Sequence, residues 1–367
     1  GFVQVQAQGV VDGDLIEGER PIFNTVNGSS PWTFRVWRAR VGARGSIPKT
    51  DQHITYNLLF EAGEVSLTRT SPIVATELQA TLSYIPGARI RVGQGKLPVM
   101  EEIVQAVAPA LETINFSNTL TGLLLENPVK EGVYTGGSYG FRDVGLQVFD
   151  GFQSGHVVGS YALMVSNGAG LHASDDDGRF DVSGRAEIGW IPEGEKQTSG
   201  RRREIKGGVW WLEGTRDVDG DPTRRMRRGA FVHAEQGKLW ALVEAAEGVG
   251  MLEAGRATPF GGQVVVAPDG KAWGVVGTTG LRMPVKEDLT FGVKLRFDEF
   301  HRRTEDPAAL RVLRTSTLGL ELNPGPNVRL QVDYEARTML APEAPEAARA
   351  VAATLGDRVS AQVTARF

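Results

Sequence analysis

Residues 358–367 read RVSAQVTARF, and alternate letters of that stretch differ in chemistry. Val359, Ala361, Val363, Ala365 and Phe367 make one set, and Ser360, Gln362, Thr364 and Arg366 make the other. Period-two alternation is the mark of a strand with one apolar and one polar face. A bulky aromatic as the last residue has little to hold it at a fraying end. The strand is therefore expected to be paired to its tip.

The same alternation recurs along the chain. Val3, Val5 and Ala7 alternate with Gln4, Gln6 and Gln8. Leu289, Phe291, Val293, Leu295 and Phe297 alternate with Thr290, Gly292, Lys294 and Arg296. Candidate strands fall at 1–10, 32–45, 53–62, 76–85, 89–97, 141–150, 156–166 and 180–191 in the first half. They continue at 204–213, 229–236, 239–247, 270–281, 288–298, 311–322, 328–338 and 358–367. That is sixteen in all, each close to the roughly 9–11 residues with which a tilted strand crosses a bilayer.

Bulk properties narrow the classes. A net charge of −4 over 367 residues excludes a strongly basic nucleic-acid binder. Without cysteine there is no disulfide framework, thiolate metal site or Cys nucleophile. No stretch has the length and apolarity of a membrane-spanning helix. A membrane β-barrel passes all these filters, because only every second residue needs to be apolar. The chain opens on GFVQVQAQGV, without Met or a charged-then-apolar leader, so an export signal is expected to have been removed.

Long and short connections alternate. Residues 11–31, 63–75, 98–140 and 248–269 are long, while PGA at 86–88, Gln236–Gly237 and NPGPN at 323–327 are tight. The segment at 192–203 breaks the pattern by being long where a short link is due. A soluble barrel or a pair of sandwiches would also alternate, with the apolar face inward. Mid-strand charges such as Lys294–Arg296 and Asp333–Glu335, the strand-end aromatics Phe60, Tyr84, Trp190, Phe297 and Phe367, and the loop alternation favour the inside-out arrangement. The expectation is all-β: one closed antiparallel transmembrane β-barrel of about sixteen strands spanning 1–367, with short periplasmic turns and long extracellular loops. No cofactor and no metal are expected. Phe367 would then sit in the periplasmic aromatic girdle.

Several stretches resemble a known family. FRVWRARVGARGSI (34–47) resembles the second strand of the phosphate-selective porin family (porins O and P). ARIRVGQGKLPVMEE (88–102) resembles its fifth strand and the start of its third loop, and DVGLQVFDGF (143–152) its sixth strand. YALMVSNGAGLHASDDDGRFDVSGRAEIGWIP (161–192) is similar to its seventh strand, fourth loop and eighth strand. The terminal Phe367 resembles the signal read by the barrel-assembly machinery of bacterial outer-membrane proteins. The likeness covers the first half in motif and the second half in strand spacing and the terminal Phe. It implies an outer-membrane barrel, commonly a homotrimer, embedded in lipid and lipopolysaccharide and passing anions or other small hydrophilic solutes.

Within that frame, parity places Val36, Arg38, Arg40, Gly42 and Arg44 on one face of the second strand and Trp37, Ala39, Val41 and Ala43 on the other. A guanidinium facing lipid costs about 2–4 kcal/mol near the midplane, so the arginines are expected to face the lumen. Arg89, Arg91, Arg185, Lys294, Arg296 and Arg329 join them by the same parity. Such forks could hand an anion from site to site, or could brace the wall by pairing with Glu61, Glu77, Glu187, Asp333 and Glu335. A weak anion preference is the expectation, lowered when Arg38 and Arg40 are neutralised. In the 98–140 loop, Ile103, Val107, Leu111 and Ile114 fall at helical spacing. That loop is expected to fold into the barrel, with Glu101, Glu102 and Glu112 lining a constriction, or else to cap it from outside.

Lesser features carry bland expectations. Asp175, Asp176 and Asp177 lack the spacing of a calcium loop and read as a solvated tip. RRMRR (224–228) reads as part of an external loop. The five histidines form no metal-ligand motif, and no nucleophile–base set marks an enzyme. The rival to a channel is a barrel that serves as scaffold or sheath for a partner protein.

Overall fold

In a computed structural model of the chain, the alternating segments pair into one closed barrel of sixteen antiparallel strands. The structure describes residues 1–11, 32–47, 51–63, 73–105, 111–125, 129–130, 133–134, 141–171, 174–175, 177–192, 203–218, 220–256 and 264–367. The barrel strands are β1 Phe2–Val11, β2 Trp32–Ser46, β3 Ile54–Glu61, β4 Val74–Ile85, β5 Ala88–Lys96, β6 Arg142–Ser154, β7 Val157–Ser166 and β8 Asp181–Trp190. They continue as β9 Glu204–Val218, β10 Asp221–Gln236, β11 Leu239–Arg256, β12 Val264–Lys286, β13 Leu289–Arg302, β14 Arg311–Pro324, β15 Val328–Leu340 and β16 Asp357–Arg366.

Closure satisfies the edges that an open sheet would leave unpaired. β16 pairs with β1 from Arg366 opposite Phe2 to Asp357 opposite Val11. Gly1 N donates to the Phe367 carbonyl at 2.7 Å, and Phe367 N–H donates back to Gly1 O at 3.1 Å.

The outward faces carry the apolar set. Val5, Leu146, Leu163, Val209, Val243, Leu295, Leu320, Val332 and Val363 are exposed there. Exposed aromatics stand near both rims: Phe34, Phe60 and Phe180 toward the long loops, and Tyr84, Phe152, Trp190 and Phe367 toward the short turns. An apolar band between two aromatic girdles is what a bilayer requires of a barrel wall.

Three local expectations are corrected. In β2, Gln4 faces Arg38 while Val5 faces Val36, so Trp37 is the extra residue of a β-bulge. The bulge reverses parity before it. Val36 turns outward, 44% exposed, while Arg35 and Trp37 are buried. The Arg35 guanidinium lies 4.0 Å over the Trp37 ring.

The RRMRR run is not loop. It lies inside β10, which pairs closely with β9 up to Asp221 opposite Val218. Alternation splits the run. Arg224 faces out and pairs with Glu213 at 2.7 Å, and Arg228 pairs with Glu247, whereas Arg225 and Arg227 are buried inside. Charge on both faces hides a strand from a period-two reading. It is tolerated because this wall is tall: β11 runs 18 residues and β12 23, well past the roughly 9–11 that cross a bilayer.

Among the described residues the third long loop holds two short helices, and the helical spacing of Ile103, Val107, Leu111 and Ile114 does not form one continuous helix. They are α1 (Glu101–Gln105) and α2 (Asn118–Leu124). Leu111–Asn115 is non-helical, and Val107 lies outside the described residues. Ser117 caps α2, its hydroxyl accepting the Leu120 N–H at 3.0 Å.

Candidate functional site

The inner faces of β8 to β16 bind the third loop through groups of both signs. Wall carboxylates accept its backbone N–H groups. Glu244 on β11 takes the Glu101 N–H at 2.8 Å, and Asp333 on β15 takes the Ile114 N–H at 2.7 Å. Asp298 on β13 takes the Asn118 N–H and, at 2.9 Å, the Thr119 hydroxyl at the start of α2. Wall cations donate to its carbonyls: Arg227 to Leu123 O at 2.7 Å, Arg296 to Asn115 O at 2.8 Å and Arg329 to Leu111 O at 2.7 Å. Lys294 donates to Glu112 O. An irregular segment away from water needs such partners for its peptide groups, and the strands supply them from residues spaced two apart.

Apolar contacts complete the fit. Trp210, Leu212, Phe231, Leu242, Phe300 and Leu313 form one buried cluster with Val99, Met100, Ile103, Leu120, Leu123 and Leu124 of the loop. Small residues set the closeness of α2. A Cβ on Gly122 would stand 2.3 Å from the Phe300 ring, and one on Gly274 would stand 2.3 Å from Thr119 Oγ1. Sequence reasoning missed this apolar inner patch. Trp210 and Trp211 are adjacent and equally bulky, so alternation cannot say which faces in. The signal that could have found it is Gly274 on a wall strand together with Gly122 in the Leu-rich stretch of the loop.

The named cations fall into three groups. Arg185, Lys294, Arg296 and Arg329 are buried and paired. Arg185 meets Glu101 and, at 2.7 Å, Glu187. Lys294 meets Asp333 at 3.4 Å, Arg296 meets Glu335 at 3.0 Å, and Arg329 meets Glu321. Arg44 is exposed, half-buried Arg89 lies 3.0 Å from Asp150, and half-buried Arg91 donates to Gln147 at 2.9 Å. Arg40 is buried against Glu61, and Arg38 is buried with Gln4 Oε1 at 3.0 Å.

The three loop glutamates have different neighbours. Glu101 is buried between Arg185 and Lys206, the latter at 2.9 Å. Glu102 turns back on its own loop, accepting from Ser117 N–H at 3.0 Å and Ser117 Oγ at 2.5 Å. Glu112 is partly exposed and takes Arg282 at 2.5 Å. A small cleft beside Glu112 is walled by Leu111, Thr113, Trp240, Leu242 and Val276. Asp175 Oδ1 accepts the Gly178 N–H at 2.8 Å in a tight turn of the fourth loop, and Asp176 lies outside the described residues.

No protein-family model matches the chain, and no curated protein matches it in sequence. Solved structures do match over its whole length. OmpF of Salmonella typhi, in complex with daunomycin, shares 13% identity at a TM-score of 0.63, covering 100% of this chain and 96% of that one. The anion-selective porin of Comamonas acidovorans shares 12% at 0.61, covering 100% and 98%. The outer membrane channel DcaP of Acinetobacter baumannii shares 12% at 0.56, covering 100% and 96%. The fold is that of the outer-membrane porins. Identities this low carry the fold and nothing finer.

Proposed function

We propose that the chain is a passive diffusion channel of the bacterial outer membrane with a weak preference for small anions. The observation that carries the reading is a closed barrel, apolar outside and charged inside, whose third loop is pinned against one wall. Such a loop narrows the passage without sealing it by a separate domain. The solute gradient is the driving force, and the wall supplies a polar path. On this reading Arg44, Arg89 and Arg91 meet passing ions directly, because they keep contact with water. The paired cations Arg185, Lys294, Arg296 and Arg329 hold the constriction in place and contribute through their field. Glu112 and Arg282 set opposite charges at its edge. The smooth outward faces of β16 and β1, with Ala361, Ala365 and Ala7, suit a homotrimer. Phosphate is one solute to test, on the strength of the sequence resemblance.

The deciding experiment is single-channel current in a planar bilayer under a KCl gradient, with phosphate added afterwards. An anion-selective reversal potential that shifts toward zero when Arg44, Arg89 and Arg91 become Gln supports the reading. Cation selectivity keeps the channel and discards the anion preference. Folded protein without conductance favours the scaffold.

A further inference from the structure

The start of the fourth loop, between β7 and β8, also turns into the barrel. Past Ser166 the chain leans toward β6. Asn167 N–H donates to Val144 O at 3.0 Å, and Gly168 N–H donates to Asp143 Oδ2 at 2.7 Å. Gly168 and Gly170 take φ values of 83° and 85°, a backbone that residues with side chains disfavour. They bracket Ala169, which is buried. The wall closes on this root from β8 and β9 as well: a Cβ on Gly168 would stand 2.9 Å from Asp181 Oδ1 and 3.0 Å from Arg216 Nη1. The segment is thus a fixed, buried root, and it leads directly to Leu171.

Leu171 packs against Trp37 of β2. Trp37 is the extra residue of the bulge, 7% exposed and turned inward. Its indole is propped from the wall, with the Arg35 guanidinium 4.0 Å and the Arg38 guanidinium 5.5 Å over the ring. Those arginines are held in turn by Gln8 and Gln4 of β1. Round the ring, β2 and β7 are five strands apart, about 24 Å at the usual spacing between strands. A contact between residues so placed is a bridge inside the cylinder, spanning the sector of β3 to β6.

The height of the bridge follows from the direction of β2, which enters from the long-loop rim. Trp37 lies nearer that rim than Arg38, and Arg38 lies 5.5 Å over Phe116 of the third loop. The bridge therefore stands on the long-loop side of the third loop. The sector it spans carries Arg89 and Arg91 on β5, whereas the wall that binds the third loop runs from β8 to β16.

We propose that Trp37 and Leu171 form a second restriction of the channel, an apolar bridge that limits the bulk and polarity of the solutes admitted to the third loop. The proposal rests on the channel reading and deepens it by naming a second basis of selection. Cations and carboxylates around the third loop sort solutes by charge. An apolar constriction disfavours water and polar solutes of either sign, so the bridge acts on current and size limit and leaves the reversal potential alone.

The chain has no cysteine, so a thiol pair placed at the bridge is unique. Full-length protein carrying Trp37→Cys and Leu171→Cys is reconstituted in a planar bilayer, treated with a short bis-thiosulfonate cross-linker and then with reductant. Cross-linking is expected to lower the single-channel current and the largest poly(ethylene glycol) that enters, both restored by reductant, with smaller changes in either single variant. Leu171→Ala, which leaves the barrel strands untouched, is expected to raise the current and the polymer cut-off at an unchanged reversal potential. Thiols that label singly but do not cross-link overturn the proposal. So does a cross-link that leaves current and cut-off as they were, or a Leu171→Ala channel identical to wild type. Each of those results keeps the channel reading. Folded wild type without conductance overturns that reading before any thiol is introduced, and the second restriction falls with it.

Discussion

Glu244 shows how much one side chain can organise. One of its oxygens, Oε1, receives both the Glu101 N–H and the Trp210 indole N–H, each at 2.8 Å, so it joins α1 to the inner apolar patch. Glu244→Ala leaves these donors buried without an acceptor, a loss of about 1–3 kcal/mol for each. The expected outcome is a lower melting temperature and a noisier, larger single-channel current. Glu244→Gln keeps one acceptor and is expected to lie between the two. At this scale the sequence is legible in part. Parity named the inward cations and, as a set, the carboxylates Glu61, Glu187, Asp333 and Glu335 that meet them, but not which pairs with which, because each pairing is made by the fold. Trp37 shows the other limit: one extra residue in a ladder reverses every side chain before it, and nothing local in VWRAR announces the bulge.

Among elements, the contact between α2 and the wall is the most demanding. Gly122→Val drives branched carbons into Phe300, and Gly274→Val drives them into Thr119. Overpacking of this kind costs about 1–3 kcal/mol. Each variant is expected to lift α2 from β12 and β13, raising unit conductance and exposing the loop to protease. An unchanged conductance with an intact loop would show that α2 lies off the conducting path. The strands themselves were legible because lipid outside and water inside enforce period two along most of each crossing. Two classes of segment escaped. The loop helices are only 5 and 7 residues long, too short to carry a periodic signal, and are held by tertiary contacts. The RRMRR strand stands above the apolar band, where neither face is required to be oily.

For the molecule as a whole, the sealed ladder between β16 and β1 is the feature on which everything else depends. Phe367 is fully at the surface beside Gly1, at the rim where the aromatic girdle lies. Phe367→Ala is expected to lower the yield of folded, heat-modifiable barrel in cells, while the protein that does fold conducts normally. Equal yields would remove any special part for that ring in assembly. The barrel architecture was legible from loop lengths and alternation together. The division of the interior was not, because which wall the third loop covers is decided by contacts between residues far apart in the chain.

The reciprocal bonds between Gly1 and Phe367 also mean that the covalent order of the strands is not needed to define the finished shape. A linker of a few residues could join the two ends and a cut at Gly237–Lys238 could open new ones, giving a circular permutant whose first strand is β11. Such a protein should reach the same cylinder with the same loop inside it, yet present a different final strand to whatever closes the seam. It therefore offers a way to separate what the finished cylinder does from how it is built.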